Sequence, residues 1–184
     1  MVEYATRETL RRFASQGSIE ESATVVARAT GRSPAGATFL SHSTKDVDLL
    51  PGVIRLLEGH GASVYVDKKD DSLPPFTSRE TATALRGRIK ECRKFILFAT
   101  TASKESRWMP WELGLSDGLK LASNVAVLPG VDTASDTAWS EREYLGVYDR
   151  IVWGGLQGRD RDVWMVWNRE KNTATELAEW IRGY

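Results

Sequence analysis

Four short apolar runs alternate with segments of helical spacing in the middle of the chain. The runs predict buried strands and occupy residues 37–41, 63–67, 95–99 and 125–128. The segments between them repeat apolar residues at intervals of three and four, which predicts helices over residues 50–57, 82–92 and 108–121. Because strands and helices alternate, we expect an α/β domain whose parallel sheet is covered by helices on both faces.

The amino-terminal part precedes this alternating pattern. Residues 3–14 and 18–30 predict two short helices, and a loop rich in glycine and proline follows them over residues 31–36. We therefore expect a helical extension over residues 1–35 and a main domain over residues 36–184.

The carboxyl-terminal part elaborates the same domain. Residues 150–153 and 163–167 predict two strands around a glycine-rich turn, and residues 174–181 predict a closing helix. Within the second of these strands, Trp164 and Trp167 are three positions apart, so their side chains are expected on opposite faces of the sheet. The tryptophans from Trp139 onward are assigned to packing.

The expected sheet also predicts where a ligand would bind. Doubly wound sheets bind ligands outside the carboxyl ends of their strands, at the point where strand order reverses. In a flavodoxin-like order this point lies between the first and third strands of the main domain. It would bring residues 41–46 close to residues 99–102 and to the helix that follows them.

Composition excludes several functional classes. A chain of 184 residues with 41% hydrophobic content supports one packed domain, and 25 basic residues balance 25 acidic ones. This balance gives no reason to expect nucleic acid or an anionic membrane as a partner. Cys92 is the only cysteine, which excludes an internal disulfide and favours packing as a small apolar group. With no recognisable signal segment or long apolar run, we expect a cytoplasmic protein.

An acid lies unexpectedly among apolar side chains at residues 106–113 (SRWMPWEL). Pro110 fits the first turn of a helix, so the helix is expected to begin near Trp108. Trp108, Glu112 and Leu115 then lie along one side of it. A carboxylate there must be solvated by a cleft, hydrogen-bonded or paired, because an unpaired buried charge is costly. Pairing with Arg107 or capping of the helix itself is the structural alternative to a catalytic role.

Three segments together resemble bacterial TIR (Toll/interleukin-1 receptor) domains. Residues 39–46 (FLSHSTKD) resemble the first strand and loop of that family, and residues 64–67 (VYVD) with the following loop resemble its second strand and BB loop. Residues 106–113 resemble the helix that carries the W-x-x-x-E motif. The resemblance covers roughly residues 36–130 and implies a flavodoxin-like, three-layer TIR fold.

The resemblance also implies site residues. In enzymatic TIR domains the glutamate of W-x-x-x-E cleaves the nicotinamide–ribose bond of NAD, so Glu112 is expected to be catalytic, with Trp108 as its supporting aromatic. The first loop, with Ser41, His42 and Ser43, would contact the substrate.

Two further positions, Asp67 and Leu73, map near the BB loop, and the resemblance implies that they also contact the substrate. That part of the match is looser, because residues 73–76 are LPPF where many relatives have a glycine after the loop's proline.

The expected chemistry needs a single carboxylate. Departure of nicotinamide from ribose passes through an oxocarbenium-like state, which an adjacent carboxylate stabilises. Nicotinamide leaves without needing a proton, so no second carboxyl group is required. Neither a G-x-G-x-x-G nor a Walker-type loop occurs, so NAD is expected as a substrate and no cofactor is expected. Two histidines are too few to suggest a zinc site, so no metal is expected.

Similarity to stand-alone TIR proteins, such as the Thoeris antiphage TIR subunits, implies a biological role. Such a protein would hydrolyse or cyclise NAD to an ADP-ribose product that a downstream effector senses. The family also implies self-association through TIR–TIR contacts near the BB loop. Two alternatives stay open: a non-enzymatic TIR–TIR scaffold, and an enzyme resembling nucleoside deoxyribosyltransferases, which also place a glutamate beside a ribose.

Overall fold

The computed structural model describes residues 2–67, 79–106, 108–136 and 143–183. Its strands are β1 (Val2–Glu3), β2 (Ala5–Thr6), β3 (Thr38–Ser41), β4 (Val64–Tyr65), β5 (Lys94–Ala99), β6 (Val125–Val131), β7 (Asp149–Gly154), β8 (Val163–Asn168) and β9 (Thr173–Glu176). Its α-helices are α1 (Arg7–Ala14), α2 (Ile19–Gly31), α3 (Leu50–Gly59), α4 (Arg79–Glu91), α5 (Trp108–Leu119) and α6 (Leu177–Arg182).

One sheet organises the described residues. Its main path runs β4-β3-β5-β6-β7-β8-β9, and the first five of these strands are parallel to their neighbours. Numbered from the start of the main domain, the parallel strands have the order 2-1-3-4-5. This is the flavodoxin-like order, so the predicted fold class is confirmed. The carboxyl-terminal elaboration consists of β8 and β9, which pair antiparallel.

The strand order reverses between β3 and β5, as the sequence predicts. These two strands pair in parallel over four positions and end with Ser41 opposite Leu97. The residues that follow β3 and β5 therefore leave the sheet side by side at its carboxyl edge. A short 3-10 turn follows each strand, Thr44–Asp46 after β3 and Ala102–Glu105 after β5.

Two apolar cores cover the two faces of the sheet. One lies under α1, α2, α3 and α6, and the other under α4 and α5. The first includes Leu10, Val25, Ala29, Val53, Leu57, Ile96, Phe98, Leu128, Ile151 and Trp164. The second includes Phe39, Leu85, Ile89, Cys92, Phe95, Leu97, Met109, Leu113 and Val127. Helices on both faces make the three layers that the sequence predicts, and Cys92 packs as expected.

The helix predicted over residues 3–14 is wrong at its beginning. Residues 2–6 form β1 and β2, which pair with β7 and with the end of β6. Sheet pairing satisfies backbone groups that a short, isolated first turn would leave to solvent, so tertiary contacts override the local preference. Helix α1 then begins at Arg7, with the Thr6 hydroxyl accepting a hydrogen bond from the Thr9 amide at 3.0 Å.

The helix predicted over residues 174–181 is also wrong at its beginning. Residues 173–176 pair with β8 as β9, and α6 begins only at Leu177. Thr173 and Thr175 are β-branched, which favours a strand at the edge of the sheet. The helix was predicted because apolar spacing in so short a segment does not distinguish a strand from a helix. The opposite faces predicted for the tryptophans of β8 agree with burial, since Trp164 is buried and Trp167 is partly exposed. Trp139 lies outside the described residues.

The amino-terminal helices share the core of the main sheet. Leu10 and Ala29 are fully buried there, and α1 crosses α3 closely at Gly52. A domain boundary at residue 35 stays a prediction. Within the described residues, none of the helices combines the length and the apolar content that crossing a lipid bilayer requires.

Candidate active site

A buried carboxylate lies at the carboxyl edge of the sheet. Glu112, in the second turn of α5, is 1% exposed, and Ser41, the last residue of β3, is 0% exposed. The Ser41 hydroxyl donates a hydrogen bond to Glu112 Oε2. This bond compensates part of the cost of removing the carboxylate from water and ties α5 to the switch point. Arg107, the alternative partner considered above, lies outside the described residues.

Two indoles lie at the amino end of the same helix. Trp108 and Trp111 meet edge to face, with ring centroids 5.5 Å apart and planes at 82°. Both are partly exposed and pack against the core under α4 and α5. Because Trp108 precedes Glu112 by four residues, its ring lies on the same side of α5. The helix begins at Trp108, as the position of Pro110 predicts.

The first two residues after β3 are buried. His42 and Ser43 are 6% and 5% exposed. The Ser43 hydroxyl accepts a hydrogen bond from the Lys45 amide at 3.3 Å and so caps the turn Thr44–Asp46. The structure thus brings Ser41, His42 and Ser43 to the same edge as Glu112, although the Ser43 hydroxyl already serves the local backbone.

A second buried acid links the loops that follow β3 and β5. Asp46 is 0% exposed, and its Oδ2 accepts a hydrogen bond from the Thr100 hydroxyl at 2.8 Å. Burial raises the pKa of Asp46, and the hydrogen bond from Thr100 and the nearby charge of Arg7 oppose that shift. This hydrogen bond joins residues 41–46 to residues 99–102, which the predicted strand order brings together. The sequence feature that could have predicted this contact is an acid and a threonine that follow two strands expected to be neighbours in the sheet.

The amino-terminal extension reaches this network through Arg7. Its guanidinium lies 3.8 Å from Asp46 Oδ1 and 3.1 Å from Asp132 Oδ1. Asp132 directly follows β6, so one side chain connects the ends of β3 and β6. No feature of the sequence pattern assigned Arg7 to the edge where Glu112 lies.

Asp67 belongs to a different group of contacts. Its Oδ1 accepts hydrogen bonds from the Tyr65 hydroxyl at 2.9 Å and from Arg88 of α4 at 2.5 Å. Burial, reinforced by the neighbouring carboxylate, raises the pKa of Tyr65. Asp67 therefore fixes the end of the second main-domain strand against α4. Leu73 lies outside the described residues.

The candidate site is closed around Glu112. Two cavities in the described part of the chain have volumes of about 340 Å³ and about 460 Å³. Neither is lined by Ser41 or Glu112. With its side chain 1% exposed, Glu112 could meet a pentose only if its neighbours moved apart.

Comparison with known proteins identifies relatives. A 130-residue match, at 37% identity, relates 69% of this chain to 66% of a Bacillus cereus (strain MSX-D12) protein named "Probable 3' cyclic ADP-D-ribose synthase ThsB'". An 83-residue match, at 32% identity, relates 42% of the chain to 21% of the Cytobacillus dafuensis protein "Putative cyclic ADP-D-ribose synthase TIR2". The chain thus spans just under two thirds of the first relative and about a fifth of the second. No protein-family model matches the chain.

The fold and the candidate site define a class of protein, and the similar proteins identify the family within that class. The class is a doubly wound α/β protein with a carboxylate at the switch point of its parallel sheet. Within that class, the chain belongs to the TIR domain family, as its likeness to these relatives shows. The predicted resemblance is therefore confirmed, while the roles of the individual site residues stay predictions.

Proposed function

We propose that this chain is an NAD-processing TIR enzyme that releases nicotinamide and cyclises the ADP-ribose that remains. The observation that carries the proposal is the Glu112 carboxylate, held by Ser41 at the switch point of the sheet. Two relatives whose names describe cyclic ADP-D-ribose synthases support a cyclic product. Hydrolysis to linear ADP-ribose is the competing outcome of the same bond cleavage.

The reaction balances without a cofactor. The C–N bond between ribose and nicotinamide breaks, and nicotinamide leaves with the electron pair and becomes neutral. A hydroxyl of the adenosine ribose then forms a C–O bond to the anomeric carbon and loses its proton. The products are cyclic ADP-ribose, nicotinamide and one proton, with no change of oxidation state. If water supplies the oxygen instead, the product is linear ADP-ribose.

Glu112 would act on the sugar cation. A carboxylate in a site with little water stabilises developing positive charge more strongly than it does in bulk solvent. Trp108 would form an apolar wall beside the ring, and Ser41 would hold the carboxylate in place. His42 would line the opposite side of the pocket. Asp67, which accepts a hydrogen bond from Arg88, would contribute by fixing the end of the second main-domain strand.

The closed site predicts low activity in the isolated chain. Because Glu112 is 1% exposed, substrate entry must be coupled to a rearrangement at the carboxyl edge. Self-association through TIR–TIR contacts is the mechanism that we propose for this opening. The biological role that fits is synthesis of a messenger in antiphage defence, which an effector protein would then sense.

Product analysis tests this proposal. Concentrated protein is incubated with NAD, with and without a crowding agent, and the products are resolved by mass spectrometry. We expect nicotinamide and a cyclic ADP-ribose isomer, with more product when crowding favours assembly. Complete retention of NAD under both conditions would contradict the proposal. Base exchange on deoxynucleosides, assayed in parallel, would instead favour a deoxyribosyltransferase-like enzyme.

Burial of Glu112 is also compatible with a non-enzymatic scaffold, and one substitution distinguishes a scaffold from an enzyme. The substitution Glu112→Gln keeps the size of the side chain and its ability to accept from Ser41. A scaffold would keep its assemblies and have no turnover to lose. An enzyme would keep its assemblies and lose product formation, as measured by light scattering and mass spectrometry on the same sample.

A further inference from the structure

A cavity of about 340 Å³ lies between α1 and the strands β7 and β8. Its walls include Phe13, Trp153 and Trp164, all of which belong to or pack against the core under α1, α2, α3 and α6. Glu112 lies on α5, which covers the other face of the sheet. The cavity is therefore separate from the candidate active site.

Two tryptophans form the aromatic wall of this cavity. Trp153 and Trp164 are directly paired across β7 and β8, with ring centroids 5.6 Å apart and planes at 58°. Trp164 is 6% exposed and Trp153 is partly exposed. Both rings line the cavity together with Phe13 of α1. Such rigid rings bind a planar ring by stacking or by edge contact.

The partly buried polar side chains that line the cavity are uncharged. Thr6 and Thr9 are partly buried, and their hydroxyl oxygens lie 2.9 Å apart in one hydrogen bond, in which either can be the donor. The Thr6 oxygen also accepts from the Thr9 amide. A threonine hydroxyl has one donor and two acceptor sites, so this pair keeps acceptor capacity for a ligand. The charged side chains of the lining, Glu3 and Arg12, are exposed. A neutral ligand with polar edges suits this arrangement, because no buried charge needs a counterion.

The elements around the cavity are fixed independently of any ligand. β1 pairs with β7 and places Glu3 opposite Trp153, while β2 pairs with the end of β6. Leu10 of α1 is fully buried on α3 at Gly52. The space between α1 and the two indoles is thus bounded by paired strands and a packed helix, so a ligand would enter a largely preformed site.

We propose that this cavity binds one planar, uncharged heteroaromatic group of the purine nucleoside class. Its volume falls within the range of roughly 300–1,000 Å³ that small-molecule sites occupy. The indoles and Phe13 provide ring contacts, and the threonine hydroxyls provide polar partners for ring nitrogens or ribose hydroxyls. The proposal does not depend on NAD cleavage at Glu112.

Calorimetric titration with adenosine tests the proposal. We compare the full chain with Trp153→Leu and with Trp167→Leu as a matched control, because Trp167 is partly exposed on β8 and does not line the cavity. We expect adenosine to bind the wild type and Trp167→Leu equally, and Trp153→Leu roughly tenfold or more weakly, as loss of a base-stacking contact predicts. Thr9→Val, which keeps the shape of the side chain, should also weaken binding.

Several results would overturn the proposal. They are an absence of binding heat for adenosine with the wild type, equal weakening by the two tryptophan substitutions, and equal affinity for adenosine and cyclohexanol, which has a non-planar ring. If Trp153→Leu fails to fold, as judged by circular dichroism, Thr9→Val against the wild type decides the question. NAD cleavage without adenosine binding would leave the proposed function intact and remove only this second site.

Discussion

At the scale of single residues, two buried acids lie at one edge of the sheet and are stabilised differently. Glu112 accepts a hydrogen bond from Ser41 across the gap between α5 and β3. Asp46 accepts one from Thr100 and lies near Arg7. The first acid is the proposed catalytic group, while the second connects the loops that shape the site.

Asp46 should make the free energy of unfolding depend on pH. Burial raises its pKa in the folded protein above the ordinary value of 3.8. The fold therefore retains a proton that the unfolded chain releases, and the stabilising contribution of Asp46 is full below pH 3.8 and is lost as pH rises through the folded pKa. Asp46→Asn removes this titration and keeps an oxygen that can accept from Thr100.

Urea unfolding at several pH values measures this effect. Relative to the wild type, Asp46→Asn should become progressively more stable as pH rises above 3.8. Asp117→Asn, which replaces an exposed carboxylate on α5, provides the control for the loss of one acidic group. A difference between Asp46→Asn and wild type that does not change with pH, or that changes in the opposite direction, would contradict this account.

Sequence patterns predicted some of these residues and not others. Ser41 follows from the end of an apolar run and Glu112 from its place among apolar helical positions, so both could be assigned to the switch point. The approach of residues 41–46 to residues 99–102, where Asp46 contacts Thr100, follows from the predicted strand order. The contact of Asp46 with Arg7 does not, because it depends on how α1 packs in the folded protein. Local periodicity carries no information about such packing, and closure of the site around Glu112 was equally unpredictable.

At the scale of elements, the crossing of α1 over α3 attaches the amino-terminal helices to the main domain. A Cβ atom added at Gly52 would lie 1.9 Å from the carbonyl oxygen of Leu10. The two helices therefore approach so closely that only glycine fits. Since α1 also carries Arg7 toward Asp46, the crossing affects the edge where Glu112 lies.

Gly52→Ala should destabilise the protein although alanine favours helices. The added methyl group meets backbone, so α1 must move, and overpacking of this kind costs about 1–3 kcal/mol. Gly59→Ala on the same helix meets nothing within 4 Å and should leave stability nearly unchanged. Denaturant midpoints for both variants check the prediction. Equal stability of Gly52→Ala and wild type would show that α1 and α3 are farther apart at Gly52 in solution.

The helices and strands were predicted correctly where their segments are long and have a regular apolar spacing. The strands and helices of the main domain follow from apolar spacing alone, and Pro110 marks the start of α5. The two errors, at residues 3–6 and 174–176, concern short segments that pair with distant strands. In both segments, pairing with another strand determined the conformation. A local sequence pattern cannot predict which distant strand a segment will pair with.

At the scale of the whole molecule, two apolar cores enclose one sheet and leave Cys92 buried in the second. Burial raises the pKa of its thiol from 9.0 to about 12. The side chain is also 2% exposed, so its chemistry reports whether that core is closed. The single cysteine thus provides a probe of global packing that needs no added label site.

Cys92 should react with a thiol reagent such as Ellman's reagent only when the core opens. The shift from 9.0 to about 12 leaves roughly a thousandfold fewer thiolates than an ordinary cysteine has near neutral pH. Labelling of the native protein should therefore be slow and should become rapid in denaturing guanidinium. Fast, stoichiometric labelling of the native chain would indicate that the second core is open in solution.

Whole-molecule properties also decide how the function can be tested. The net charge is zero and Glu112 is buried, so neither the overall charge nor an open pocket indicates a substrate. The function is therefore tested by changing the Glu112 carboxylate directly. A matched pair of substitutions on α5 is available: Glu112→Gln in the buried position and Asp117→Asn in an exposed one. Both replace a carboxyl group with an amide of the same size on the same helix.

The most direct test is the rate of nicotinamide release from NAD by wild type, Glu112→Gln and Asp117→Asn at equal concentration under crowding. Loss of the group that stabilises the sugar cation should slow release by about a hundredfold or more in Glu112→Gln. Asp117→Asn should match the wild type. A folded Glu112→Gln protein that releases nicotinamide as fast as the wild type would contradict the central claim.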